Sequence, residues 1–141
     1  MDADRQFFLS AAGLPEPWAG LRQTPLSHSF CRLVVETELP FAVEDARCDP
    51  RVHGNLAVQD LGVVSYLGMP LAVLGGHVIG ALCVIDQAPR CWSDEDTQAL
   101  SDLADAVMAE FAAGLRLQEL KRTSAALPAS MRMPCAANRR A

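Results

Sequence analysis

Residues 66–86 constrain the fold more than any other stretch. Two apolar runs, Tyr66-Leu-Gly-Met-Pro-Leu-Ala-Val-Leu and His77-Val-Ile-Gly-Ala-Leu-Cys-Val-Ile-Asp, meet at Gly75-Gly76. Adjacent glycines readily take the positive φ angles of a two-residue hairpin turn, so the stretch is expected to form two long antiparallel strands. Gly68 and Gly80 interrupt the runs and point to a bulge or to close approach by another backbone or a ligand. Pro70 has no N–H to give a ladder, which places its part of the strand at an edge or a bulge.

The whole chain has 141 residues, 50% of them apolar and 21% charged, enough for one domain with a real core. No apolar run approaches the ~20 residues that cross a bilayer. Met1-Asp-Ala-Asp-Arg has none of the character of a signal peptide, so a cytoplasmic location without membrane association is expected. Five cysteines without a framework spacing are then expected to be reduced thiols. All 17 acids lie at or before Glu119, together with seven of the 12 basic residues, and the other five basic residues follow. An acidic body with a thin basic tail argues against a nucleic-acid surface, which needs cations clustered on a folded face.

In chain order, Asp4-Arg-Gln-Phe-Phe-Leu-Ser is expected as a short strand and Gly13-Leu-Pro-Glu-Pro-Trp as a loop. Thr24-Pro25 has the form of an N-cap followed by proline. Leu26, Phe30, Leu33 and Val34 then recur at helical spacing, which predicts a helix to about Glu36. Phe41-Ala-Val-Glu predicts a strand. Asp49-Pro50 starts a turn ended by Gly54, and Asn55 caps a short helix ended by Gly62. Short helices across a sheet leave a cleft beneath them. Ser93-Asp-Glu-Asp begins a last helix, with an apolar stripe of Leu100, Leu103, Ala104, Val107, Met108, Phe111 and Leu115. The pattern predicts a folded domain over 1–120 and a disordered basic tail over 121–141.

Several of these pieces together resemble the GAF domain family: Tyr66-x-Gly-x-Pro-Leu, Gly75-Gly-His-x-Ile-Gly, Leu82-Cys-Val-Ile-Asp, Thr24-Pro-Leu-Ser-His-Ser-Phe-Cys, Asp45-Ala-Arg-Cys-Asp-Pro-Arg-Val and Pro89-Arg-Cys-Trp-Ser-Asp-Glu-Asp. In that order and spacing they resemble the GAF domains found N-terminal to bacterial histidine kinases, PP2C-type phosphatases and diguanylate cyclases. The resemblance implies an α/β (α+β) fold, an antiparallel sheet flanked by helices. It also implies that a first helix and a central first strand are missing ahead of Arg5, leaving sheet edge and apolar surface for another chain to cover. A sensory or interaction role in signal transduction follows from it, with a small-molecule ligand, a homodimer or a signalling protein such as a histidine kinase as partner. No cofactor is identified and no catalytic effector motif is present.

The same resemblance puts Asp45, Arg47, His53, Asn55, Tyr66 and Cys83 around the family's ligand cavity. Taken singly, Asp45, Asp49 and Asn55 are equally turn and cap residues, Arg47 a salt-bridge partner and Cys83 a small buried hydrophobe. His28, Cys31, Cys48 and His53 are zinc-ligand types, but their spacing fits no standard zinc signature and no metal site is expected. Cys91, beside a helix N-terminus, is a candidate reactive thiol. One GAF subfamily reduces free methionine-R-sulfoxide with cysteines, and a thiol-dependent enzyme of that kind is the alternative to a sensor, although Cys31, Cys48, Cys83 and Cys91 do not stand in its sequence contexts. Neither His28 nor His77 has a cysteine neighbour for a covalent bilin, and the only lysine, Lys121, falls outside a cyclic-nucleotide signature.

Overall fold

A computed structural model describes residues 4–126. The hairpin is its central feature. Strand β4 (Ser65–Ala72) pairs antiparallel with β5 (Val78–Asp86), from Ser65 opposite Asp86 to Leu71 opposite Gly80, with a bulge after Leu71. The turn is one residue wider than expected. Val73 N–H donates to His77 O and Gly76 N–H to Val73 O, leaving Leu74, Gly75 and Gly76 as the loop, with both glycines at positive φ (106° and 85°).

On its other side β4 pairs with β3 (Phe41–Val43) through Phe41–Gly68, Ala42–Leu67 and Val43–Tyr66. That ladder ends at Gly68, so among the described residues Pro70 sits where β4 has a neighbour on one side only, which is how a strand tolerates a proline. Within the order β3-β4-β5, β5 is an edge strand among the described residues, with Ile79, Val84 and Ile85 partly exposed. A second ladder joins β1 (Arg5–Phe7) to β2 (Gln23–Pro25), with the helical turn α1 (Trp18–Leu21) between them.

The second ladder corrects one expectation. Thr24-Pro25 does not cap a helix. Thr24 lies opposite Gln6, its buried hydroxyl accepting from Gln6 Nε2 at 2.8 Å, and Pro25 is extended. A hydroxyl engaged across a ladder is not free for a helix N-terminus. A single 3₁₀ turn (Leu26–His28) follows, and α2 (Cys31–Thr37) starts six residues later than the pattern predicts. There Ser29 Oγ accepts from Arg32 N–H at 3.1 Å and does the capping.

Alternation along β4 feeds two cores. Tyr66 faces a cluster with Phe30 and Val34, at the start and on the inner face of α2, with Val43, and with Ala46, Val52, Ala57, Leu61 and Val63 from the segment that crosses the sheet. Leu67 and Met69 face Leu100 and Ala104 of α4 (Asp94–Ala126), with Leu71, Leu82 and Trp92 beside them. In the crossing segment Asn55 Oδ1 accepts from Ala57 N–H at 3.0 Å to start α3 (Ala57–Asp60), and Gly62 at φ 66° ends it, both as the sequence predicts.

The start of α4 is a reciprocal capping box. Ser93 Oγ accepts from Asp96 N–H at 3.1 Å, and Asp96 Oδ2 accepts from Ser93 N–H at 3.0 Å. Helix α4 runs 33 residues and passes the predicted end at Leu120; the remainder of the expected tail, 127–141, lies outside the described residues. By internal contacts the chain divides into a unit up to Met108 and a second from Ala109 on. The predicted stripe splits: Leu100 and Ala104 are buried, while Leu103, Val107, Phe111 and Leu115 stay exposed. No helix among the described residues is long and apolar enough to cross a membrane.

Candidate functional site

Two residues apart on one face of β4, Tyr66 and Gly68 build the site together. The Tyr66 ring lies over Gly68, so closely that a Cβ there would stand 2.3 Å from the hydroxyl. The close approach that Gly68 signals is therefore made by a neighbouring side chain. Cys83 is the β5 partner of Gly68 and shares the space its missing side chain leaves. From above, Cys31 in the first turn of α2 meets this spot: the Tyr66 hydroxyl donates to Cys31 Sγ at 3.3 Å, and Cys31 Sγ and Cys83 Sγ are 3.7 Å apart. Phe30 stacks on Tyr66 with ring centroids 5.2 Å apart, and Phe41 flanks it at 6.2 Å. Aromatic rings thus lie beside two half-buried thiols between α2 and the sheet.

The electrostatics of this cluster are uneven. The hydrogen bond from Cys83, helped by that from Tyr66, brings the Cys31 thiol down to about 7 against the opposing effect of burial. Cys83 is pushed well up, first by its bond to Cys31, then by burial and the Cys31 charge. Burial, then the Cys31 charge, holds the Tyr66 phenol up. The pair thus gives up one proton readily and keeps the second, placing one thiolate beside one thiol.

The six residues assigned to a cavity occupy three places. Tyr66 and Cys83 belong to the thiol cluster. Asp45 and Arg47 form an ion pair at a surface turn, where Asp45 Oδ1 also accepts from Arg47 N–H at 3.1 Å; the Arg47 hydrogen bond holds the Asp45 carboxyl below the usual carboxylate range. His53 and Asn55 border a groove of about 380 Å³ that Ser29, Arg32 and Arg51 also line. Both arginines there are partnered, Arg32 with Glu36 and Arg51 with Asp49, and the Arg51 guanidinium also lies 4.6 Å from the centre of the Phe41 ring. Of the residues with zinc-ligand chemistry, His28 is buried between Ser27 Oγ at 3.0 Å and Asp60 Oδ2 at 2.8 Å, while Cys48, Cys91 and His53 are exposed. No group of three or more such side chains among the described residues could hold a metal ion. Sequence reasoning did not join Cys31 to Tyr66 and Cys83. The one signal available was Gly68 two residues after Tyr66, a small residue beside a large one on the same strand face.

The family profile described as GAF domain matches residues 1–111. The chain belongs to the GAF domain family. A cyclic di-GMP phosphodiesterase of Pseudomonas aeruginosa is 39% identical over 111 residues, covering 77% of this chain and 18% of that protein. This GAF chain therefore spans under a fifth of the length of the curated relative it matches. The crystal structure of the GAF domain from an Acinetobacter phosphoenolpyruvate-protein phosphotransferase superposes with a TM-score of 0.62 at 22% identity, over 82% of this chain and 67% of that one. A free methionine-R-sulfoxide reductase from Neisseria meningitidis superposes at 0.56 with 21% identity, over 68% and 55%. At these identities the two structures share the fold: an antiparallel sheet and flanking helices, as the family resemblance implies.

Proposed function

We propose that this GAF domain is a regulatory module of bacterial signal transduction without catalysis of its own. In this reading a small ligand or a partner protein stabilises one packing of α4 against the sheet. A second copy, or a signalling protein such as a histidine kinase, then meets α4 itself. The observation that carries the reading is the exposed series Leu103, Val107, Phe111 and Leu115, spaced by four along one 33-residue helix. Such a helix spans about 50 Å, and apolar side chains repeating along it are what helix–helix association uses. The relative from Pseudomonas aeruginosa supports a signalling context, its named activity being that of a much longer protein.

Native mass spectrometry on the full chain purified from its own host tests the reading. A dimer, or a monomer carrying a reproducible small-molecule mass, is expected. A bare monomer at tens of micromolar would overturn it. The second reading is a thiol-dependent reductase, favoured by the 3.7 Å approach of Cys31 and Cys83. An NADPH-coupled assay with free methionine-R-sulfoxide separates the two: no turnover is expected, and turnover abolished by Cys31→Ser would replace the sensory reading with the enzymatic one.

A further inference from the structure

Of the four described cysteines, Cys48 and Cys91 are exposed, whereas Cys31 and Cys83 share one half-buried site. We propose that Cys31 and Cys83 form a peroxide-reactive dithiol: a small hydroperoxide oxidises Cys31, and Cys83 resolves the product into a disulfide that ties α2 to β5. This goes beyond the regulatory reading and does not depend on it, since the chemistry follows from the site whether or not a partner responds.

Three features support the assignment. The sulfurs stand 3.7 Å apart, so bonding at about 2.05 Å needs a closure of under two ångströms. Two donors, the Cys83 S–H and the Tyr66 O–H, converge on Cys31 and hold it as the thiolate near neutral pH, the form that attacks peroxides. Phe30 and Phe41 pack on Tyr66, which fixes its hydroxyl toward Cys31.

The reaction balances without a further reagent. The Cys31 thiolate attacks one peroxide oxygen; an S–O bond forms, the O–O bond breaks, and the departing alkoxide or hydroxide takes a proton. Cys31 is now a sulfenic acid. The Cys83 sulfur attacks it, the S–S bond forms, the S–O bond breaks, and hydroxide leaves with the Cys83 proton as water. Two thiols have lost two electrons and two protons, and one hydroperoxide has become an alcohol and water, or two waters from hydrogen peroxide.

Peptide mapping tests the proposal, because trypsin leaves each of the five cysteines on a separate peptide. The reduced full chain is treated with one equivalent of hydrogen peroxide at neutral pH, alkylated and digested. The expected product links peptide 23–32 to peptide 52–90, with Cys48 and Cys91 recovered alkylated. In Cys83→Ser the reaction stops at a Cys31 sulfenic acid that dimedone traps, and in Tyr66→Phe the linked peptide forms about five-fold more slowly, the worth of one hydrogen bond. The proposal is overturned if Cys48 or Cys91 is consumed first, if no linked peptide forms in the folded chain, or if Cys31→Ser leaves the rate of thiol loss unchanged.

Discussion

Replacing Gly68 by alanine adds one methyl group where the structure has no room for it. Its Cβ would stand 2.3 Å from the Tyr66 hydroxyl, 2.7 Å from Cζ and 2.8 Å from Cε1. Relief by swinging the ring is blocked, because Tyr66 is 1% exposed, stacked on Phe30, flanked by Phe41 and bonded to Cys31. Overpacking of this kind costs about 1–3 kcal/mol. Losing the Tyr66–Cys31 bond adds about 1 kcal/mol. A destabilisation of about 2–4 kcal/mol corresponds to a fall in Tm of about 8–15 °C for a domain of this size. The control is Gly80→Ala, whose Cβ would meet Leu71 Cδ1 at an ordinary 4.0 Å. Thermal and urea melts of the two variants, reduced, give the comparison, and Tyr66→Ala with Gly68→Ala completes a double-mutant cycle in which most of the Gly68→Ala cost disappears. Equal stability of the two glycine variants, or additive effects in the cycle, would refute the reasoning.

Other perturbations reach other parts of the molecule. Ser93→Ala removes one half of the capping box and is expected to cost about 1 kcal/mol in urea unfolding. The Asp96 carboxyl is held below its ordinary value by the Ser93 backbone N–H and hydroxyl and by Arg90. A depressed folded-state pKa contributes stability above about pH 4 that is lost as pH falls through the folded value, so Asp96→Asn is expected to flatten the decline in melts taken from neutral pH down into acid. Iodoacetamide labelling of Cys31, followed by peptide mapping, is expected to rise with a midpoint at about 7, and to shift upward in Cys83→Ala because the first donor to the thiolate is removed. Paired Phe111→Asp and Leu115→Asp changes are expected to abolish self-association in sedimentation velocity while leaving the melt of the sheet domain within about 0.5 kcal/mol, as exposed positions allow.

What the sequence conveyed depended on how local the cause was. The hairpin, the Asn55 cap, the Gly62 stop and the Ser93–Asp96 box rest on residues within a few positions of one another, and all are in place. The helix start at Thr24 failed because its hydroxyl is engaged by Gln6, 18 residues earlier, and no local pattern announces that partner. The third glycine-loop residue escaped for a similar reason: the bulge after Leu71 resets the register ahead of the turn. At the site, β4 was legible as a strand, and Tyr66 and Gly68 therefore as one face. The meeting of Cys31 with Cys83, 52 residues apart, depends on how α2 crosses the sheet. The exposed half of the α4 stripe shows the limit of periodicity, which reports that a helix is amphipathic without saying which residues find a partner.

The alternation of β4 makes this strand a party wall. Tyr66 and Gly68 furnish the room that holds the sulfurs; Leu67 and Met69, their immediate chain neighbours, furnish the one that holds Leu100 and Ala104. Chemistry at Cys31 and Cys83 is therefore one peptide thickness away from the base of the long helix. The backbone that carries Tyr66 and Gly68 also carries Leu67 and Met69, the two residues packed on Leu100 and Ala104.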